Sequence, residues 1–437
     1  MSLIIDCIYL LAAAVISPMV AYRMARHKRY RSGWAQRFGR ITRRYPAKKC
    51  VWLHAVSVGE VNATRTIVEE IKKRLADFEI VISTTTDTGF SRATELFGKN
   101  HAVFYFPLDF SPVMRRAFRN IRPAICLLVE LEVWPNFVQI AHHSSIPVVV
   151  INGRISDRSF SRYKKIRPVV KNIFKKVDLV LAQTDQYAQR FKDVGCPMDK
   201  VIVTGSLKYD TAQVTDKVEG ANELANQLKL DRVAKLWVAG GTGPDEEKII
   251  IDTYLKLKKQ FHNLRLAIIP RKPERFDEVA QLIEQSGFDI IRYSQIKNHS
   301  TEKSNTEPRA TSDESRIILG DTMGDLRKFY SLADIIFVGR SLVPMGGSDM
   351  MEAAALGKCT IFGPYAFNFQ QAVDDLLANQ GAIMVRDEQD LLRTMQKCLL
   401  EPDFAATIAR NGREIIRKNQ GSTAKSVDAI MKLLNSR

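Results

Sequence analysis

Acidic residues are almost absent from the first 49 positions, where Asp6 stands alone against eleven lysines and arginines between Arg23 and Lys49. Cysteine is scarce and scattered. The six (Cys7, Cys50, Cys126, Cys196, Cys359 and Cys398) contain no C-x-x-C pair. That excludes a disulfide framework and a thiolate zinc site, and reads as reduced core thiols of a cytoplasmic protein. The seven histidines form no H-E-x-x-H or other tight cluster, so neither a metal site nor a cofactor is expected. No glycine turn ends in Gly-Lys-Ser/Thr, which excludes a P-loop. No internal repeat is present.

Long apolar runs are missing too, with one exception. Leu3 to Tyr22, "LIIDCIYLLAAAVISPMVAY", is about the length that crosses a bilayer core, with Asp6 its one charge. A cleavable signal peptide would carry its positive charges in front; here they follow. The expectation is a membrane-anchor helix over 1–24 and a basic juxtamembrane segment over 25–49. The C-terminal bulk then lies on the cytoplasmic side of the membrane, with the basic block on anionic lipids rather than nucleic acid. Asp6 and Pro18 weaken a simple span. The alternative is a helix that lies in the interface or packs on the domain.

Beyond the anchor, apolar runs alternate with amphipathic stretches, the pattern of a parallel sheet with crossover helices. Strands are expected at Cys50–His54, Ile80–Ser83, Ala102–Tyr105, Ile125–Val129, Val148–Asn152, Leu179–Ala182 and Val201–Val203. A second series runs Leu236–Ala239, Leu264–Ile268, Phe288–Arg292, Arg316–Leu319, Ile335–Val338, Thr360–Phe362 and Ala382–Met384. The expected organisation is an α/β domain over 50–212, a polar linker over 213–232, and a second α/β domain over 233–437. Both domains are Rossmann-like, with a ligand cleft lined by strand ends. Lys297 to Glu314 is polar and aperiodic, an expected exposed loop. The last helical stretch, Thr423–Leu434, has no assigned packing partner.

The candidate chemistry lies where strands end. In "WLHAVSVGE", Ser57-x-x-Glu60 has capping-box spacing, so Glu60 reads as a helix cap. It reads equally as a general base, because the helix N-terminus favours the ionised carboxylate that a base requires. In "VELEVWPNF", Glu130 and Glu132 follow an apolar strand. They share a face if the strand continues and diverge if the chain turns early. Lys208 in "TGSLKYD" follows the last strand of the first series; a surface lysine is the plain alternative. In the second series, "GGTGPDEEK" (Gly240–Lys248), "GDTMGDL" (Gly320–Leu326) and "MGGSDMMEAAALGK" (Met345–Lys358) place glycines at strand ends before helices. Together they favour a phosphate-bearing ligand. Arg271, in a proline-stiffened "PRKPER" loop, has the fork to hold phosphate oxygens.

These stretches, with "SGWAQRFGR" and "INGRIS", lie in order across almost the whole chain, and the sequence resembles the 3-deoxy-D-manno-octulosonic acid (Kdo) transferases of lipopolysaccharide synthesis. The resemblance implies a GT-B glycosyltransferase, inverting and metal-independent, with CMP-Kdo as donor and a lipid A precursor (lipid IVA) as acceptor. It implies that Glu60 is the base and that Glu130 and Lys208 support the transition state. Pro270, Arg271, Met323, Gly324, Asp325, Asp349, Met350, Met351 and Glu352 would hold CMP. The chain departs from the family pattern at Ser348, Asp349 and Ala353, where histidine, asparagine and proline are usual, and at Lys272, where histidine is frequent. The competing readings are another GT-B sugar-nucleotide enzyme, a UDP-sugar transferase or epimerase, and a membrane-tethered polyanion-binding protein without catalysis.

Overall fold

In the computed structural model, residues 2–27, 32–230, 234–299 and 316–436 are described. Most of the expected loop 297–314 lies outside them, as do Lys28, Arg29 and Arg31 of the basic block. Lys297 itself belongs to a short helix, Tyr293–His299. The chain divides into two units, Met1–Thr211 with Asn419–Arg437, and Ala212–Lys418.

The first unit is built on β1 (Lys49–His54), β2 (Phe78–Thr84), β3 (Ala102–Tyr105), β4 (Ile125–Val129), β5 (Val148–Gly153), β6 (Leu179–Ala182) and β7 (Val201–Val203). They form one sheet in the order β3-β2-β1-β4-β5-β6-β7, with every pairing parallel. Such sheets are covered on both faces, so their strands are continuous apolar runs rather than alternating ones. Both β4 and β5 are buried at every residue. Trp52 of β1 is fully buried. Its ring lies 4.9 Å from Phe137 and 5.3 Å from Phe118, and its indole N–H donates to Ser83 Oγ at 2.9 Å. The strand order reverses between β1 and β4, the position where open α/β sheets leave a crevice at their carboxyl ends.

The C-terminal helix, Ser422–Asn435, belongs to this first unit, so the expected second domain, 233–437, loses its end. Val427 and Ile430 join the core formed by Ile67, Ile71 and Leu207, and Thr423 Oγ1 meets Thr66 Oγ1 at 2.8 Å. The expected linker is likewise partly structured: Ala221–Gln227 is a helix of the second unit.

The N-terminal helix, Ser2–His27, occupies the stretch expected as an anchor. Among the described residues no helix is long and apolar enough to cross a membrane. Asp6 is bonded to the domain. Asp6 accepts from Ser111 N at 2.9 Å, Ser111 Oγ at 2.6 Å and Asn136 Nδ2 at 2.9 Å. Tyr9 donates to Asp109 at 3.0 Å. Beyond this latch Ile8, Leu11, Val15 and Met19 are exposed, Val15 by 81%. Part of the basic segment folds into the domain. Arg43 is buried and donates to Glu79 at 2.8 Å and to the Ile121 carbonyl at 2.9 Å. Arg37 is buried with its guanidinium 4.3 Å over the Tyr105 ring. These two cations hold the fold together and do not face outward.

The second unit repeats the architecture with β8 (Lys235–Thr242), β9 (Leu264–Pro270), β10 (Asp289–Arg292), β11 (Arg316–Leu319), β12 (Ile335–Val338), β13 (Cys359–Phe362) and β14 (Ile383–Met384). The order is β10-β11-β9-β8-β12-β13-β14, again all parallel. Here the order reverses between β8 and β12. Among the described residues, all fourteen strands fall where the apolar runs place them.

Candidate active site

At the carboxyl end of β1, Ser57 caps the helix Val58–Ala63. The capping box is complete. Glu60 N donates to Ser57 Oγ at 3.4 Å, Ser57 Oγ donates to Glu60 Oε1 at 2.8 Å, and Val56 N donates to Glu60 Oε2 at 2.8 Å. Burial raises the Glu60 carboxyl above the usual range, and the charge of Glu130 adds to this. The Val56 and Ser57 hydrogen bonds oppose it.

At the end of β4 the chain turns at once. Glu130 adopts φ +58°, a left-handed conformation uncommon for a residue with a side chain, and its N–H donates to the Ile151 carbonyl at 3.0 Å. The strand therefore stops at Val129, and Glu130 and Glu132 do not share a strand face. Glu132 Oε2 instead accepts from the Trp134 indole at 2.9 Å and lies 4.0 Å from His54 Nε2. Burial pushes its carboxyl up to about 7, helped by the charges of Glu60 and Glu130. The neighbouring ends of β1 and β4 thus gather three carboxyl groups that feel each other's charge.

Lys208 is half-buried on the short helix Leu207–Thr211. Among the described residues no ion pair joins it to these carboxylates. Its helix is tied to the site by Asn152 at the end of β5, which has φ +53° and accepts from Leu207 N at 3.0 Å. Asn152 and His54 belong to the candidate site and were missed by sequence reasoning. An asparagine ending a buried strand was the available signal, since asparagine tolerates the left-handed conformation.

In the second unit the glutamates of "GGTGPDEEK" fill the turn that was expected to receive an anion. Glu246 is fully buried. It accepts from Gly243 N at 3.2 Å, Ser341 N at 2.6 Å, Leu342 N at 2.8 Å and also Arg340 N. It thereby fixes the loop after β12. Glu247, also buried, pairs with Arg275 at 2.6 Å and anchors the "PRKPER" loop. Pro270 ends β9 and is buried, while Arg271 and Lys272 are exposed.

Asp325 is buried and accepts from Lys297 at 2.7 Å, Lys328 at 2.8 Å and Thr322 at 2.7 Å. Burial would raise its carboxyl, but these bonds outweigh it and hold the group at about 2. Met323 beside it is 63% exposed, and Gly324 turns with φ +89°. Asp349 caps the helix Met350–Ala355, accepting from Met351 N at 2.9 Å. The Met350 and Met351 side chains are core, which leaves their backbone, not their thioethers, for a ligand. Ser348 donates to the Gly241 carbonyl at 2.8 Å.

Glu352 is pushed up to about 7 by burial and then by Asp349, against Arg327 and Arg271. Near it the buried Tyr330 hydroxyl has no hydrogen-bond partner among the described residues. A Cβ on Gly240 would come within 2.4 Å of the Tyr330 ring, so that position admits only glycine. Among the described residues no group of three or more His, Cys, Asp or Glu side chains could hold a metal ion.

The family profile described as 3-deoxy-D-manno-octulosonic-acid transferase (kdotransferase) matches residues 32–211. The 3-deoxy-D-manno-octulosonic acid transferase of Haemophilus influenzae is 31% identical over 406 residues, covering 92% of this chain and 91% of that protein. The chain belongs to the 3-deoxy-D-manno-octulosonic acid transferase family. The enzyme of the same name from Bordetella pertussis is 30% identical over 97% of this chain and 98% of its own length. Among solved structures, the UDP-GlcNAc 2-epimerase of Neisseria meningitidis bound to UDP-GlcNAc superposes with a TM-score of 0.54 at 14% identity, over 88% of this chain and 100% of that one. The fold is shared, and nothing more follows from that identity. As a Kdo transferase, the protein is a glycosyltransferase, which sets aside the reading without catalysis. In this Kdo transferase the three carboxyls end β1 and β4, where the first sheet's order reverses. The Asp349–Glu352 helix lies beyond β12, where the second sheet's order reverses.

Proposed function

We propose that the protein transfers Kdo from CMP-Kdo to a hydroxyl of a lipid A precursor in lipopolysaccharide synthesis, by an inverting, metal-independent displacement with Glu60 as general base. The carrying observation is the carboxylate of Glu60, oriented through both oxygens at the carboxyl end of β1 and raised in basicity by burial. A carboxylate made more basic by its site is better matched to proton abstraction near neutral pH. The acceptor oxygen attacks the anomeric carbon as its proton passes to Glu60, and CMP leaves with the bond electrons. Glu130 and Lys208 support the charge that develops. On the donor side Arg271 and the backbone of Met323–Asp325 and Asp349–Met351 hold the monophosphate, and Glu352 takes a ribose hydroxyl. Asp325 acts through the turn it braces.

The exposed apolar side chains from Ile4 to Met19 support a monotopic N-terminal helix lying in the cytoplasmic interface of the inner membrane. The exposed part of the basic segment would rest on anionic lipids. Flotation with anionic and with neutral vesicles tests this; equal recovery from both would remove the lipid contact.

The deciding experiment incubates the protein with CMP-Kdo and lipid IVA and weighs the product. Glu60→Gln should lower transfer by about 10²–10⁴-fold while CMP binding persists. Near-normal turnover would return Glu60 to a capping role alone.

A further inference from the structure

His54 sits at the end of β1 with no exposed surface. Its ring stacks on Phe106 at 3.8 Å. Nδ1 lies 3.1 Å from the Ser83 carbonyl and 3.1 Å from Ser83 Oγ. A carbonyl only accepts, so Nδ1 carries the proton and Nε2 presents a bare lone pair. Burial holds the imidazole neutral, with its pKa down to about 3. Nε2 is buried without a hydrogen-bond partner among the described residues, and it faces Glu132 Oε2 at 4.0 Å. The other contact of that oxygen is the Trp134 indole N–H. His54 is sealed from solvent while the Glu132 side chain keeps 24% of its surface exposed, and two acceptors facing each other at such a place are unfavourable until a proton stands between them. With a proton on Oε2, a side-chain shift of about 1 Å or one bridging water completes the bond.

The surroundings of Glu132 point the same way. Glu60, from the helix after β1, and Glu130, from the turn after β4, add negative charge. Tyr163, from the helix Asp157–Lys165, is itself raised by burial and by the charge of Glu132. Beyond Trp134 no donor to the Glu132 carboxyl is seen among the described residues. The cheapest way to lower the charge of this cluster is to protonate the member that has a waiting acceptor.

We propose that Glu132 is a positioning residue of the transfer reaction: it carries a proton directed at His54 Nε2, and so eases the ionisation of Glu60. The inference rests on Glu60 being the base. Glu132 does not touch the reacting atoms. Its neutral carboxyl fixes the loop that bears Glu130 and spares Glu60 a second adjacent negative charge.

The test compares Glu132→Gln, Glu132→Ala and His54→Phe in the full-length enzyme. Glutamine is neutral, accepts from Trp134 and donates to Nε2, so it imitates the protonated acid. Expected is a transfer rate lowered by ~100-fold in Glu132→Ala and restored to within about tenfold of wild type in Glu132→Gln. Infrared titration of the protonated-carboxyl stretch gives a readout independent of turnover. Asp109 and Glu352 also titrate near neutrality, each at about 7, so the Glu132 band is the one that Glu132→Gln removes. Its midpoint should fall in His54→Phe, which keeps the ring stack and deletes the acceptor. A spectrum unchanged by Glu132→Gln, an unmoved midpoint in His54→Phe, or Glu132→Gln as inactive as Glu132→Ala would each overturn the proposal. Failure of the Glu60 reading would show separately, as normal turnover in Glu60→Gln with the infrared assignment intact.

Discussion

Ser57 and Glu60 hold each other: the Ser57 hydroxyl donates to the Glu60 carboxylate at 2.8 Å and accepts the Glu60 N–H at 3.4 Å. The cap and the candidate base are therefore one device. The hydroxyl that starts the helix also fixes the carboxylate's direction and favours its ionised form.

Ser57→Ala should cost about 1 kcal/mol of stability as a lost N-cap. It should also make Glu60 harder to ionise, because the Ser57 hydroxyl bond, which alanine lacks, helps hold its pKa down. The acid limb of kcat/KM then moves to higher pH. A melting curve and a pH–rate profile check the pair, and a limb that stays in place would separate the cap from the base.

Asp6 ties the N-terminal helix to the first turns of two other helices, through Ser111 and Asn136. Asp6→Ala should lower stability by about 1–3 kcal/mol, the range for losing bonds to a charged, part-buried acceptor. Amide hydrogen exchange should quicken at Ser111 and across the first helix. Exchange confined to wild-type rates would mean that the helix is held by its apolar contacts instead.

Asp349→Asn should leave stability and CMP affinity nearly unchanged, because asparagine and aspartate cap helices about equally well and the carboxylate accepts from Met351 N. Glu352→Ala, one turn on, should weaken CMP binding. Calorimetric titration with CMP decides both. Markedly tighter binding in Asp349→Asn would place its charge beside the phosphate, and unchanged affinity in Glu352→Ala would remove Glu352 from the site.

Asp325 makes stability depend on acid. Its folded carboxyl lies at about 2, below the ordinary aspartate value of about 3.9. The ionised form is thus favoured by folding, and its contribution is complete above about pH 4 and lost as pH falls toward 2. Asp325→Asn should melt lower than wild type at pH 7, with the gap closing across that window. A gap of constant size from pH 7 to pH 2 would show that the Lys297 and Lys328 contacts add no net stability.

What the sequence by itself determined is the alternation of strands and helices and the identity of the acids and bases at strand ends. Continuous apolar runs such as Ile125–Val129 and Val148–Asn152 have few other fates than a buried parallel sheet, and a capping box is written in four consecutive residues. The quoted motifs carried the family on the same ground, because each is local. Tertiary structure alone decided the rest. Glu130 and Glu132 were adjacent in the chain either way, but whether they shared a face depended on the left-handed turn at Glu130, bonded to Ile151 of β5. His54 comes to face Glu132 at 4.0 Å only because β1 and β4 are neighbours in the sheet. The run from Leu3 to Tyr22 is legible as an apolar helix, but that its Asp6 bonds to Ser111 and Asn136, more than a hundred residues away, is set by the fold. The C-terminal helix likewise folds onto the first unit through Val427 and Ile430. Periodicity shows that an element has an apolar face, but which surface covers that face is set by contacts between residues far apart in the chain.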